Sequence, residues 1–185
     1  WLLDEHPVSA QGQGGRDSRS DQKLGETFDH HMVEFTYAKD VRLLSQCRHV
    51  RGCWNSVSEH VHGTQGSCDI SAAIIRDPSG KVVWQSSQKP SKDRGCQQAQ
   101  HDLFASLRKG EIPNEGDYGA TSTMTAIMGR MASYSGKIVR WNEALQSDQM
   151  LADVDAMQSL KDIAPVQPLP NGNYEVAIPG QTKVV

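Results

Sequence analysis

The sequence predicts an α+β fold: an open, mainly antiparallel β-sheet with helices packed on one face. Three observations lead to this prediction. Apolar residues alternate with a period of two in several segments between residues 28 and 84, which is typical of strands with one buried face. Beyond residue 97 the apolar period changes to that of a helix. The strands therefore precede the helices along the chain, an order that favours α+β over alternating βα units.

The strand segments come first. A hairpin is predicted from residues 28–37 and 41–49 with a turn at 38–40, and Val33, Phe35 and Tyr37 share its apolar face. Alternation also predicts strands at 56–64, 70–75 and 81–84, with a turn at 77–80 between the last two. Residues 8–10 are predicted as a short strand, and the Gly-, Gln- and Arg-rich residues 11–25 as a loop.

Two helices follow, each ending at a glycine. Residues 97–109 carry one apolar stripe and end at Gly110, and residues 121–135 carry another and end at Gly136. The two stripes consist of Leu103, Phe104 and Leu107, and of Met124, Ile127, Met128 and Met131. A short third helix is predicted at 142–146. We expect one domain over residues 1–163 and an extended, proline-rich tail over 164–185.

Composition excludes several classes of protein. A net charge of -3 argues against a nucleic-acid groove, and no apolar run approaches the ~20 residues of a membrane-spanning helix. Four cysteines without C-x-x-C spacing indicate reduced thiols, although the sequence leaves open whether Cys47 and Cys53 are linked. The run from Gly12 begins like the dinucleotide fingerprint G-x-G-x-x-G, but Asp17 replaces its third glycine.

The polar side of the predicted sheet is the candidate binding surface. Alternation places imidazole, guanidinium and other polar side chains on it, namely His30, Glu34, Arg42, Gln46, Arg48, His60 and His62. If the strands are neighbours, these groups suit a hydroxyl-rich or anionic ligand. A solvated face or a subunit interface is an equal alternative. A metal site at His60 and His62 would need a third ligand such as His30 or Glu34.

Five segments, in order along nearly the whole chain, resemble the bacterial-type carboxy-terminal domain of the Gfo/Idh/MocA family of oxidoreductases. They are GETFDHH at 25–31, QCRHVRGCWNSVSEHVHGT at 46–64, HDLFASLRKG at 101–110, TSTMTAIMGRMASYSGK at 121–137 and AIPGQTKVV at 177–185. The resemblance implies an amino-terminal Rossmann domain that binds NAD or NADP and is absent here. It also implies a carbohydrate substrate, namely a sugar or cyclitol, and a homo-oligomer formed through the sheet face.

The resemblance implies that the family's Glu-Lys-Pro motif lies in the missing amino-terminal half and that the histidine of its Asp-x-x-x-His pattern falls just upstream of Trp1. Asp4 and His6 have the wrong spacing to replace that pattern. We therefore assign no catalytic residue, and we do not expect the chain to be active alone. The substrate-binding candidates lie in the family-like segments, and they are His30, Arg48, His49, Trp54, Asn55, His60 and His62. Alternation places His49 on the core side with Cys47, which makes it the weakest of them.

The alternative function is a non-catalytic binding or dimerisation module that uses the same sheet face. The chain opens at Trp1 with what reads as the end of a helix stopped before Pro7, so we expect a preceding segment. A cytoplasmic location is favoured, and a twin-arginine export signal in that preceding segment is the alternative.

Overall fold

The computed structural model describes residues 2–87, 94–153 and 155–185. The chain divides into two compact units, which we describe separately. The first unit combines the residues up to Gly52 with Glu115–Val185, and the second comprises Cys53–Asn114. The predicted α+β class with open antiparallel sheets is confirmed. The expected division at residue 163 stays a prediction.

The first unit is built on a four-stranded antiparallel sheet in the order β3-β2-β1-β8. Its strands are β1 (Ser9–Gly15), β2 (His30–Thr36), β3 (Arg42–Arg48) and β8 (Val139–Arg140). A 3-10 turn at Ala38–Asp40 joins β2 to β3, as predicted, and Lys39 adopts a left-handed conformation in it with φ 57°. The predicted hairpin is therefore present, with β2 three residues and β3 two residues shorter than expected.

One face of this sheet is covered by α2 (Gly116–Ser135), which together with α3 (Trp141–Leu145) supplies the helical side of the core. Met128 and Met131 are buried against Val33 and Phe35. The predicted stripe was wrong at one position, because Ile127 is 46% exposed. The helix ends at Gly136 in the αL conformation, as expected.

The prediction of a loop from residue 11 was wrong, because residues 9–15 form β1 inside the sheet. Glycine is disfavoured in strands by propensity, but here it permits close packing. A Cβ atom on Gly14 would lie 2.6 Å from the carbonyl oxygen of His30 and 3.2 Å from the ring of Phe28. The tertiary contacts thus override the local signal.

The second unit contains a separate antiparallel sheet in the order β4-β5-β6-β7. Its elements are β4 (His60–Gly63), β5 (Gly66–Asp69), β6 (Ile74–Arg76), β7 (Val82–Gln85) and α1 (Arg94–Arg108). The predicted turn is present, since the Asp77 carboxylate accepts hydrogen bonds from the N–H groups of Ser79 and Lys81. The hypothesis of one sheet running from residue 28 to 84 was wrong.

The helices of the two units differ in how much apolar surface they bury. Leu103, Phe104 and Leu107 of α1 remain 40–53% exposed, so the expectation that this stripe seals a sheet was wrong. No helix in the described ranges is long and apolar enough to cross a membrane.

Both ends of the chain lie in the first unit. Residues 2–8 contain no helix, which corrects the reading of the opening segment, and Trp1 lies outside the described residues. The tail after residue 164 has no helix or strand, as expected, but part of it is integrated into the core. Val184 is 5% exposed, and the Gly180 N–H donates to the Ser135 carbonyl at 2.6 Å.

Candidate functional site

The candidate site is the face of β1, β2 and β3 that lies opposite the core, which we call the open sheet face. Strand register sets its four rows across the sheet. From one end to the other they are Gly15–His30–Arg48, Gln13–Met32–Gln46, Gln11–Glu34–Leu44 and Ser9–Thr36–Arg42. The predicted grouping of polar residues from β2 and β3 on one side is therefore present.

A shallow groove of about 320 Å³ crosses the middle of the open sheet face. Its lining combines amide, carboxylate and apolar groups from Gln11, Gly12, Gln13, Met32, Glu34 and Leu44. Such a mixture can donate and accept hydrogen bonds while contacting carbon, which suits a small ligand with several hydroxyl groups.

The end of the face near Arg42 is neutralised by its own ion pairs. The Arg42 guanidinium binds the carboxylate of Glu34, and it contacts the Asp40 carboxylate at 2.6 Å. The Gln11 amide also donates to Glu34 at 3.4 Å. These groups are partly or fully exposed, so each pair contributes little to stability. Their main effect is to hold the Arg42 charge at this end.

The opposite end is organised by a buried carboxylate. Asp29, whose side chain is fully buried, lies 2.9 Å from Nδ1 of His30. The same carboxylate accepts hydrogen bonds from the backbone N–H groups of Asp17, Ser18 and Arg19 at 2.8–3.1 Å. Successive N–H groups directed at one point form a binding site for a negative charge.

The Asp29 backbone also forms hydrogen bonds with the last residue of β1 and with the residue that follows β3. Its N–H donates to the Gly15 carbonyl at 2.9 Å, and its own carbonyl accepts from the His49 N–H at 2.8 Å. The residue that carries the carboxylate is therefore bonded to both strands that flank β2. This fixes the position from which Asp29 contacts His30.

The electrostatics of Asp29 follow from these contacts. Burial alone raises the pKa of a carboxyl group, but the hydrogen bonds from His30, Asp17, Arg19 and Ser18 outweigh it and lower the pKa of Asp29 to about 2. The group is ionised near neutral pH, so it acts only as a hydrogen-bond acceptor.

The neighbouring His31 points to the other side of the sheet, as alternation requires. Its Nδ1 lies 2.9 Å from Oγ of Ser133 on α2, and its ring stacks on Tyr134. Burial lowers the pKa of His31, and the nearby His30 and Arg130 lower it further. His31 is therefore part of the contact between sheet and helix.

The other candidates of the first unit lie at the His30 end. Arg48 is the residue paired with His30 across the strands, and its side chain is exposed. His49 follows the end of β3 and is exposed, which corrects its expected core-side position. The structure thus places His30, Arg48 and His49 at one end of the sheet. Their role in binding stays a prediction.

The remaining candidates lie in the second unit. Trp54 is 80% exposed, and Asn55 is exposed without regular secondary structure. His60 and His62 are exposed on β4, where His60 lies 3.9 Å from the Asp69 carboxylate. The expectation that both histidines share a sheet with His30 was wrong. Alternation gives the side on which a residue points, but it does not give the strand with which it pairs.

Among the described residues, no third ligand joins His60 and His62 to form the metal site considered above. Across residues 2–87, 94–153 and 155–185, no three His, Cys, Asp or Glu side chains are grouped so that they could hold a metal ion. The described cysteines, Cys47, Cys53, Cys68 and Cys96, are free thiols.

Sequence reasoning missed Asp29. Its N–H partners come from residues 17–19, which no periodic pattern connects to it. One signal was present: an acid directly precedes a histidine at the start of a strand, between the apolar Phe28 and the polar His30. An acid in that place can orient the imidazole beside it.

Comparison with known proteins gives a fold but no close sequence relative. No family model matches the chain, and no curated protein matches it. Several solved structures are similar to this chain, and they include the following three. An oxidoreductase from Agrobacterium radiobacter in complex with NAD+, L-tartaric acid and magnesium aligns over 74% of this chain with 12% identity and a TM-score of 0.55.

The other two are an aldose-aldose oxidoreductase from Caulobacter crescentus with bound glycerol and a Thermotoga maritima protein assigned as an oxidoreductase. They align over 75% and 76% of this chain, with 19% and 16% identity and TM-scores of 0.53 and 0.51. In all three cases the alignment spans only 42–44% of the solved chain, which is less than half of its length. The chain therefore has the fold of less than half of each of these oxidoreductases.

Proposed function

We propose that this chain is the substrate-binding, carboxy-terminal part of an NAD(P)-dependent oxidoreductase that acts on a hydroxyl or carbonyl group of a sugar or cyclitol. The observation that carries the proposal is the alignment of this fold with less than half of each similar oxidoreductase. Small polar molecules in two of those structures, L-tartaric acid and glycerol, support a small hydroxylated substrate.

The glycine-rich run that begins like a dinucleotide fingerprint does not fit a nicotinamide cofactor. The glycine-rich run at residues 12–15 lies in β1, within an antiparallel sheet, and not in the turn between a strand and a helix that holds a pyrophosphate. NAD or NADP would therefore be bound by a separate Rossmann domain. We assign this chain no step of the hydride transfer.

The contribution of this chain would be to orient the substrate. Positioning a reacting group correctly is worth several kcal/mol of activation free energy in enzymes generally. The His30 end of the open sheet face supplies an imidazole held by Asp29 and the guanidinium of Arg48 in the same row. These groups can bind the hydroxyls of one face of a sugar ring.

The test compares Arg48 with Arg140, an exposed arginine at the other end of the same sheet. The product of the complete reading frame is assayed for reduction of NAD+ and NADP+ with a panel of aldoses, polyols and cyclitols. Arg48→Ala is expected to raise KM or lower kcat roughly tenfold, as for the loss of a charged hydrogen bond. Arg140→Ala, on β8, is the matched control and should leave both parameters unchanged, because Arg140 pairs with Glu143 and neither residue lines the groove.

Two results would count against the proposal. No turnover with any member of the panel would remove the oxidoreductase assignment. Equal kinetics for wild type and Arg48→Ala, in a folded protein, would remove the assigned binding end.

A second function has support from exposed apolar residues. Met32 and Leu44 on the open sheet face are 40% and 58% exposed, and β3 is an edge strand. Exposed apolar groups on a sheet face favour an interface, here a homo-oligomer formed through the open sheet face without catalysis. Light scattering of wild type and Leu44→Glu tests the interface, since the variant should dissociate only if the open sheet face forms it. Turnover by the wild-type protein separates the two functions, because an oxidoreductase of this fold can also be oligomeric.

A further inference from the structure

We propose that Asp29 is a positioning residue: it holds the His30 imidazole in the form with hydrogen on Nδ1, so that Nε2 is presented on the open sheet face to accept a hydrogen bond from a ligand hydroxyl. The role in ligand binding rests on the proposed function above. The state of the imidazole rests on the geometry alone.

The two carboxylate oxygens of Asp29 accept different sets of hydrogen bonds. Oδ2 accepts from all three backbone N–H groups, those of Asp17, Ser18 and Arg19, at 2.8–3.0 Å. Oδ1 faces His30, 2.9 Å from Nδ1, and receives only a longer bond of 3.1 Å from the Asp17 N–H. An ionised carboxylate has no hydrogen to donate, so Nδ1 must be the donor.

The imidazole lies across Gly15, its neighbour in the row. A Cβ atom on Gly15 would be 3.2 Å from Cε1 and 3.3 Å from Nε2 of His30. The edge of the ring that carries Nε2 therefore covers the glycine on the open sheet face, while Nδ1 points to Asp29. The His30 side chain is 34% exposed, so part of the ring is open to a small ligand.

Because Oδ1 and Oδ2 of Asp29 have different hydrogen-bond partners, the effect of an amide at position 29 can be predicted. Three N–H donors converge where Oδ2 lies, so the single amide oxygen of Asn would take that place. The NH2 group of Asn would then face Nδ1 of His30 and donate to it. Asp29→Asn should therefore move the imidazole hydrogen from Nδ1 to Nε2.

The first experiment is nitrogen NMR of the histidine rings in the 185-residue chain, recorded well above the ordinary histidine pKa of about 6.5 so that the rings are neutral. Wild type is expected to show His30 with hydrogen on Nδ1, and Asp29→Asn with hydrogen on Nε2. Asp17→Asn is the matched control, since this carboxylate lies 3.8 Å from the same nitrogen but is 76% exposed, and it should keep the wild-type pattern. Hydrogen on Nε2 in wild type would overturn the inference.

The second experiment measures the consequence for binding. In the product of the complete reading frame, Asp29→Asn should lower kcat/KM roughly tenfold to a hundredfold for the aldose or polyol that gives turnover, as for one lost buried hydrogen bond. Gly15→Ala offers a route that leaves Asp29 intact: it displaces the ring edge, so kcat/KM should fall while the hydrogen stays on Nδ1.

The outcomes separate the two proposals. Turnover that is unchanged in both variants would overturn the positioning role while the oxidoreductase assignment stands. Absence of turnover in wild type would overturn the assignment, and the NMR result would still decide the state of His30.

Discussion

Acid should destabilise the first unit through the buried carboxylate of Asp29. Its pKa is about 2 in the folded chain and 3.8 as the ordinary value. Because each pKa unit corresponds to about 1.4 kcal/mol, this difference contributes about 2.5 kcal/mol to the free energy of unfolding.

The sign follows from the lowered pKa. Above 3.8 the carboxyl group is ionised in both states and its contribution is complete. As the pH falls from 3.8 to about 2, the unfolded chain takes up the proton first, and the contribution is lost.

Urea unfolding of wild type and Asp29→Asn at several pH values measures this contribution. At neutral pH the variant should be less stable by about 2 kcal/mol, and the gap should close as the pH approaches 2. Asp17→Asn, with an exposed carboxylate, is the control and should differ from wild type by less than about 0.5 kcal/mol. A gap between wild type and Asp29→Asn that stays constant from neutral pH to pH 2 would refute the reasoning.

Two further predictions concern α2, and each has a control on the same helix. Gly129→Ala should lower the free energy of unfolding by about 1–3 kcal/mol, because the new Cβ atom would lie 2.7 Å from Cζ of Phe35. Gly119→Ala is the control: its Cβ atom would meet no atom within 4 Å, so it should stabilise the helix by up to about 1 kcal/mol. Thermal unfolding followed by circular dichroism checks the pair, and equal melting temperatures would contradict the packing. Met128→Ala should cost about 2–5 kcal/mol because Met128 is fully buried, while its neighbour Ile127, 46% exposed, should tolerate alanine at under about 1 kcal/mol. Urea midpoints compare these two, and the reverse order would show that the helix is rotated.

Periodicity predicted the parts of the fold in which one face is buried. The hairpin of β2 and β3 and the helix around Met128 were found for this reason, since burial of Val33, Phe35 and Met128 imposes a regular pattern. The groups on the open sheet face within this hairpin followed from the same pattern. The fold class therefore depended on local information.

The errors arose where distant contacts decide the structure. β1 was missed because glycines at positions 12 and 14 are required by the closeness of β2 and Phe28, which local propensity does not show. β8, with two residues, is too short to display a period, and the sequence of β5, GSCD, has no alternation of apolar residues. Without β5, the partner of β4 was unknown, and His60 was assigned to the wrong sheet.

The candidate site was accessible from sequence only in part. Strand alternation placed His30 and Arg48 on one face, and register placed them in one row. The hydrogen bonds that orient His30 depend on a carboxylate buried by a loop 10 to 12 residues earlier in the chain. Such a contact is determined by tertiary structure, so a single sequence does not reveal it.

A crystal structure of the product of the complete reading frame, with nicotinamide cofactor and the substrate that gives turnover, tests the central claim most directly. We expect a substrate hydroxyl within about 3.2 Å of Nε2 of His30, the range of an ordinary hydrogen bond. A substrate bound in the same crystal with no contact to the row of Gly15, His30 and Arg48 would contradict the account.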